Sequence, residues 1–300
     1  MKLYDLIEKL PVIKQFYKHY SPICRHHYQC FKNYTGRYYI RGGKDKAIGQ
    51  KVIDCTDTAA DYQIIYANKA KSYLDLKNKI CLIVGCKTGI DCSFFINYGA
   101  KEVHGLDICS NIGIDYQHKN VTYHQVSAEN MQGINSENYD LVYCLATLEH
   151  VSNIELAYKE MVRVTKPNGI IFTFSAPLWH SSQGHHKQIF FKEYPWIHLR
   201  MSELDIVDYC KRNNIIDTNN SIDMEYHVKY MLNHKYFNKI PAKKYIDTCN
   251  NLEHIVIIKN QLSFSNEKEL TSEIYSELER KGYTRDELLA SSHFFVARKI

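Results

Sequence analysis

Lys79-Ile80-Cys81-Leu82-Ile83-Val84-Gly85-Cys86-Lys87-Thr88-Gly89-Ile90-Asp91-Cys92 is the stretch on which the fold turns. Its unbroken apolar run, Ile80 to Val84, reads as a strand buried on both faces, because a strand with one wet face would alternate apolar and polar residues. Gly85 and Gly89 then flank a tight turn into a helical pattern. Such glycines let a ligand approach the backbone, and the start of a helix offers unpaired N–H groups. About 20 residues further on, a second apolar run ends at Leu106-Asp107, which places a carboxylate where it can accept hydrogen bonds from both hydroxyls of a ribose. Together the turn and the acid locate a nucleoside-binding sheet edge.

Working outward, similar runs recur at Glu102 to Leu106, Val121 to Val126, Tyr139 to Cys144 and Gly169 to Phe174, with crossover segments between them. Five such strands imply a doubly wound α/β sheet. His254 to Phe264 and His293 to Arg298 read as two final strands, separated by a helical insertion from Glu267 to Leu289. A helix is expected from about Ser202 to Asn213, and the polar stretch from there to Asn250 shows little pattern. Upstream, a helix is expected from near Thr58 towards Leu76. It follows an aromatic, helical leader and a basic, glycine-rich turn from Gly36 to Lys44. The expected organisation is a helical N-terminal cap over 1–77 and a main domain over 78–300. The main domain divides into a cofactor-binding half, 78–175, and acceptor-side elaborations, 176–290.

The formal charge of +5 comes from 38 basic and 33 acidic residues spread along the chain, so no basic run marks a nucleic-acid or membrane surface. The first residues mix charge into the apolar positions and lack a signal-peptide core, and no apolar run approaches the roughly 18 residues that span a bilayer. A cytoplasmic protein is expected. The 10 cysteines are scattered through apolar stretches, which favours buried, reduced thiols. Cys24, His26, His27 and Cys30 lack a second ligand pair at finger-like spacing, so no metal centre is expected from them.

Five motifs in order resemble the class I S-adenosylmethionine-dependent methyltransferases, in particular the small-molecule enzymes with a V-G-C-G-T-G turn. They are Val84-Gly85-Cys86-Lys87-Thr88-Gly89, Ser127-Ala128-Glu129, Tyr139-Asp140-Leu141-Val142, Leu148-Glu149-His150-Val151 and Arg163-Val164-Thr165-Lys166-Pro167-Asn168-Gly169. The resemblance implies a Rossmann-like, mostly parallel seven-stranded sheet with S-adenosylmethionine as cofactor. It further implies that Gly85, Cys86, Lys87 and Gly89 pass near the methionine part and that Asp107 holds the ribose. Ile108 would pack on the adenine, Ala128 and Glu129 would sit at its edge, and Cys144 and Leu145 would floor the site near the sulfonium. Glu149 and His150 would set the helix that follows. Two positions depart from the family pattern: Ile83 stands where an acid is usual, and Lys87 replaces the middle glycine.

The acceptor side is expected in the loop Ser175-Ala176-Pro177-Leu178-Trp179-His180-Ser181-Ser182-Gln183-Gly184-His185-His186, since ligands on open α/β sheets bind beside the carboxyl ends of the strands. Methyl transfer to a hydroxyl needs in-line alignment and a proton acceptor, which makes His180, His185 and His186 the candidate catalytic residues. Two other roles stand beside that one. The histidines can serve as polar packing or phosphate grips, or hold a divalent ion, although no carboxylate is interleaved among them. The polar, His- and Tyr-rich face predicts O-methylation of a small anionic or carbohydrate acceptor: a sugar, a nucleotide-sugar or a phosphorylated metabolite. A regulatory protein on a degenerate methyltransferase scaffold is the main alternative. A nicotinamide-dependent oxidoreductase is disfavoured because Lys87 occupies the place of the second glycine in G-x-G-x-x-G.

Overall fold

The computed structural model describes residues 61–217, 222–233 and 235–300. The basic, glycine-rich turn, from which the sequence leads one to expect Tyr38, Tyr39, Arg41 or Lys44 near the transferred methyl, lies outside the described residues, as do Cys24, His26, His27 and Cys30 and most of the 1–77 cap.

Among the described residues seven strands form one sheet: β1 (Ile80–Val84), β2 (Glu102–Asp107), β3 (Val121–Gln125), β4 (Tyr139–Leu145), β5 (Thr165–Ser175), β6 (Ile255–Phe264) and β7 (Ala290–Lys299). Their order is β3-β2-β1-β4-β5-β7-β6. The first five are parallel, with Val84 opposite both Leu106 and Cys144 and with Leu145 opposite Phe174. β7 runs antiparallel to both β5 and β6, which leaves β6 at the edge with Val256, Ile257, Ile258 and Phe264 exposed. The expected doubly wound, mostly parallel seven-stranded sheet is what the chain forms.

The continuous apolar runs have their explanation in the packing. Leu82 and Val84 enter one core, while Cys81 and Ile83 enter the other. Helix α1 (Asp61–Lys71) and α2 (Ile90–Asn97) cover the second face through Ala67, Ala70, Phe94 and Phe95. On the first face lies α3 (Ile154–Val164), whose buried residues Ala157, Tyr158, Met161 and Val164 recur at helical spacing. Asn153 caps this helix by accepting a hydrogen bond from the Leu156 N–H at 3.1 Å. The Lys166-Pro167-Asn168-Gly169 motif also has a local role. Asp140 accepts from the Ile80 N–H at 2.9 Å and from the Lys166 Nζ at 2.9 Å, tying the starts of β1, β4 and β5 together.

After β5 the chain builds a smaller core of its own around Trp179, Trp196, Leu199 and Phe237. α4 (Gln188–Phe191), α5 (Ile197–Arg200) and α6 (Glu203–Arg212) lead to α7 (Met224–Leu232) and α8 (Ala242–Asn250); α9 (Ser272–Glu279) and α10 (Arg285–Leu289) fill the insertion before β7. The stretch expected to lack pattern thus holds two helices. None of the described helices is long and apolar enough to cross a membrane. Among the described residues seven cysteines are free thiols, and all but Cys109 are buried.

Asp91, in the first turn of α2, is enclosed in the core and accepts a hydrogen bond from Gln63 Nε2 at 2.7 Å. Burial pushes its carboxyl up to about 7, with the Gln63 bond opposing. The folded value exceeds the ordinary carboxylate value, so stability present below about pH 4 is lost as pH rises towards 7. Asp91→Asn should flatten that slope and raise the urea midpoint at pH 8; an unchanged pH profile would count against a buried, protonated Asp91.

Candidate functional site

The glycine turn is held against β2 by its own backbone. The N–H groups of Gly85 and Cys86 donate to the Leu106 carbonyl at 2.8 and 3.1 Å, and the Gly89 N–H donates to the Cys86 carbonyl at 2.8 Å. Gly85 has φ +77°, and a Cβ there would lie 2.0 Å from Thr147 Oγ1, so glycine is required on both conformational and steric grounds. Lys87 adopts φ +48°, the left-handed conformation that the family's glycine takes freely, and its side chain is exposed.

Asp107 binds this turn directly. Its Oδ2 accepts from the Lys87 N–H at 2.8 Å and its Oδ1 from the Cys109 N–H at 3.0 Å. A carboxylate offers about four lone-pair sites, so two are left for ribose hydroxyls. Beside it Ile108 is 73% exposed, an apolar face at the place where the resemblance puts an adenine. Ala128 is buried, and Glu129 accepts from the Asn153 N–H, which joins the loop after β3 to the start of α3. Cys144 is enclosed in the core and Leu145 nearly so. The acid, the exposed apolar residue and the glycine turn fit the ribose, the base and the amino-acid end of S-adenosylmethionine.

The carboxyl ends of β4 and β5 carry the acceptor side. Thr147 Oγ1 donates to the Leu145 carbonyl at 2.9 Å, and a short 3-10 turn then presents Glu149 and His150. Glu149 is 2% exposed, and burial raises its carboxyl to about 8, although the backbone N–H groups of Glu149 and Ala176 pull it down. His150 Nδ1 lies 2.9 Å from the Tyr236 carbonyl.

The three loop histidines are not equivalent. His180 Nδ1 sits 2.5 Å from Glu287 Oε1, on the α10 side. His185 is fully buried and its Nδ1 accepts from the Lys187 N–H at 2.9 Å. His186 points the other way: its Nε2 lies 3.0 Å from the Pro177 carbonyl, and its ring packs on His150 and Phe237 with centroids 5.2 and 4.7 Å apart. Burial holds His185 and His186 down at about 3 and about 4. Lys87, Ala146 and His186 all have left-handed backbones, so three non-glycine residues store strain along this rim.

Sequence reasoning missed Tyr236, Phe237 and Asn238. Asn238 Nδ2 donates to the Leu148 and Val151 carbonyls at 2.7 and 3.1 Å, and its N–H donates to the Glu149 carbonyl at 3.0 Å. These bonds lock the Glu149-His150 turn to a segment some 90 residues away in sequence. The one available signal was an aromatic pair in a polar stretch.

A parallel sheet in this order, with a glycine turn after β1 and an acid closing β2, defines a nucleoside-binding α/β domain. Residues 82–173 match the family described as "Methyltransferase domain", in keeping with the resemblance of this part of the chain to the class I S-adenosylmethionine-dependent methyltransferases. Similar curated proteins include the ubiquinone biosynthesis O-methyltransferase of Hydrogenovibrio crunogenus, 31% identical over 34% of this chain and 44% of that protein. The corresponding Rickettsia typhi protein is 34% identical over 33% of this chain and 41% of its own length. The chain thus spans less than half the length of these two relatives. Among solved structures, an S-adenosylmethionine dependent methyltransferase from Mesorhizobium loti is 13% identical, with a TM-score of 0.47 over 77% of this chain and 96% of that one.

Proposed function

We propose that this chain transfers the methyl group of S-adenosylmethionine to a hydroxyl oxygen of a small acceptor bearing a hydroxylated aromatic ring. The observation that carries this reading is the meeting, at one sheet edge, of the Asp107-braced glycine turn with a wall made of His150, His186, Tyr236 and Phe237. Flat rings line that wall, which suits a flat acceptor. The names of the similar curated proteins point to O-methylation in the making of a quinone.

The sugar, nucleotide-sugar or phosphorylated acceptor expected from the composition of the loop is set aside. Besides the names of the relatives, the charge of the loop speaks against it. Burial keeps His185 and His186 neutral at physiological pH, so they bring no positive charge to grip a phosphate.

S-adenosylmethionine supplies an electrophilic methyl group when bound. Asp107, Ile108 and the turn from Gly85 to Gly89 would hold it, with Ala128, Glu129 and Leu145 lining the rest of the site; Cys144, enclosed in the core, would support its floor. Asp107 also keeps the turn in register, so that the acceptor wall and the methyl group share one rim. Of the three candidate catalytic histidines, His186 is the one on the acceptor wall; His180 is engaged by Glu287 and His185 is enclosed. Incubation with the cofactor and a panel containing a catechol, a hexose and a sugar phosphate tests this. Mass spectrometry should show a methyl ether of the catechol together with S-adenosylhomocysteine, and a preference for either sugar would overturn it.

A further inference from the structure

From Ile80 to Ile90 the chain carries a single charged side chain, Lys87, and it stands in the middle of the glycine turn. Lysine is a strained choice there. Its φ of +48° is left-handed, a conformation that glycine takes freely and that a side chain takes only when its surroundings impose it. Here the Lys87 N–H donates to Asp107 Oδ2 at 2.8 Å and the Lys87 carbonyl accepts from the Gly113 N–H at 3.0 Å, so both backbone groups are tied to the end of β2 and the loop after it. A strained residue that the fold holds in place on a ligand-binding rim is a candidate for function. We propose that the Lys87 ammonium forms the subsite for the carboxylate at the cofactor's amino-acid end. The proposal rests on the cofactor reading above and adds to it the group that orients that end.

Three observations carry it. S-adenosylmethionine has two cationic groups, its sulfonium and its ammonium, and one anionic group, its carboxylate, so a cation beside its methionine part has one group of opposite charge to meet. The charge of Lys87 is also free to meet it. Among the described residues its exposed ammonium meets no carboxylate, carbonyl or aromatic ring. Lysines of the acceptor side are engaged instead: Lys187 Nζ lies 5.2 Å from the centre of the Tyr230 ring, and Lys239 Nζ donates to the Leu232 carbonyl at 2.6 Å. The side chain, finally, faces across the site. The glycine turn touches the turn after β4, since a Cβ on Gly85 would lie 2.0 Å from Thr147 Oγ1. His150, just beyond Thr147, is held below its ordinary value by burial and in smaller part by the Lys87 ammonium, against the pull of the Tyr236 carbonyl. The ammonium thus overlooks the cleft between the two turns.

A carboxylate on the acceptor has the same chemistry. The backbone ties of Lys87 lie on the β2 side, with Asp107, which favours the cofactor as its source.

The test compares, by calorimetry, S-adenosylhomocysteine with its decarboxylated analogue, in which hydrogen replaces the carboxylate. Loss of the carboxylate should weaken binding to the wild-type chain by about tenfold, as for a charge-assisted hydrogen bond, and should make little difference in Lys87→Gly. Lys87→Arg, which keeps the charge, should keep most of the discrimination, and added salt should narrow it in the wild type. Lys87→Gly should melt close to wild type, because relief of the left-handed strain offsets the added freedom of the unfolded chain. An equal loss in wild type and Lys87→Gly overturns the subsite and leaves the cofactor reading in place; failure of the wild type to bind either compound overturns the cofactor reading itself. A Lys87→Gly variant that keeps the wild-type discrimination but shows a raised KM for a carboxylated catechol assigns the ammonium to the acceptor and overturns the proposal.

Discussion

His186→Ala is expected to lower turnover about a hundredfold or more while the affinity for S-adenosylhomocysteine stays nearly constant. The division follows from position. His186 touches His150 and Phe237 on the acceptor wall, whereas the cofactor's ribose and base fall to Asp107 and Ile108 on β2. Burial places its protonation at about 4, so the imidazole is neutral from pH 5 to 8 and its own titration should not shape the rate there. Such weak proton affinity suits a ligand or an orienting group better than a strong base. His180→Ala, removing a contact to Glu287, should instead act on stability. Equal kinetic losses at His180 and His186 would defeat the assignment, as would normal turnover in His186→Ala.

Asp107→Ala should weaken S-adenosylhomocysteine binding by roughly ten- to a hundredfold, because a charge-assisted hydrogen bond typically contributes about 1.5 to 3 kcal/mol. The loss has two sources. The ribose loses its acceptor, and the N–H groups of Lys87 and Cys109 lose the carboxylate that shapes the turn. Asp107→Asn separates them, since an amide oxygen can still accept from one N–H but carries no charge. Its affinity should fall between wild type and Asp107→Ala. Undiminished affinity in Asp107→Ala, measured by calorimetry, would remove Asp107 from the cofactor site.

The cofactor half was legible because its signals are local. Parallel strands buried on both faces read as unbroken apolar runs, and the turn from Gly85 to Gly89 stands at a fixed interval from Asp107. β5 begins earlier than expected, at Thr165, because its first residues pair with Tyr139 ahead of an irregularity in the ladder. α7 and α8 were not legible. The buried stripe of α8 is Ala242, Tyr245, Thr248 and Cys249, and that of α7 includes His227, so residue types that read as polar occupy core positions. The acceptor wall was only half legible. The loop histidines could be found from their position after β5, but which one meets Glu149 and Phe237 depends on contacts between distant segments, and sequence spacing does not encode those.

The placement of β7 between β5 and β6 also governs how the protein comes off the ribosome. β6 is synthesised first, yet its sole neighbour in the sheet among the described residues begins only at Ala290. At ordinary elongation rates of ~5–20 residues per second, the Ile255-Val256-Ile257-Ile258 run waits seconds for its partner with its backbone unpaired. An apolar strand held open for that long is a recruiting surface for nascent-chain chaperones and for other copies of itself. Yield in a heterologous host should therefore depend on translation speed and chaperone supply more than on the stability of the finished sheet.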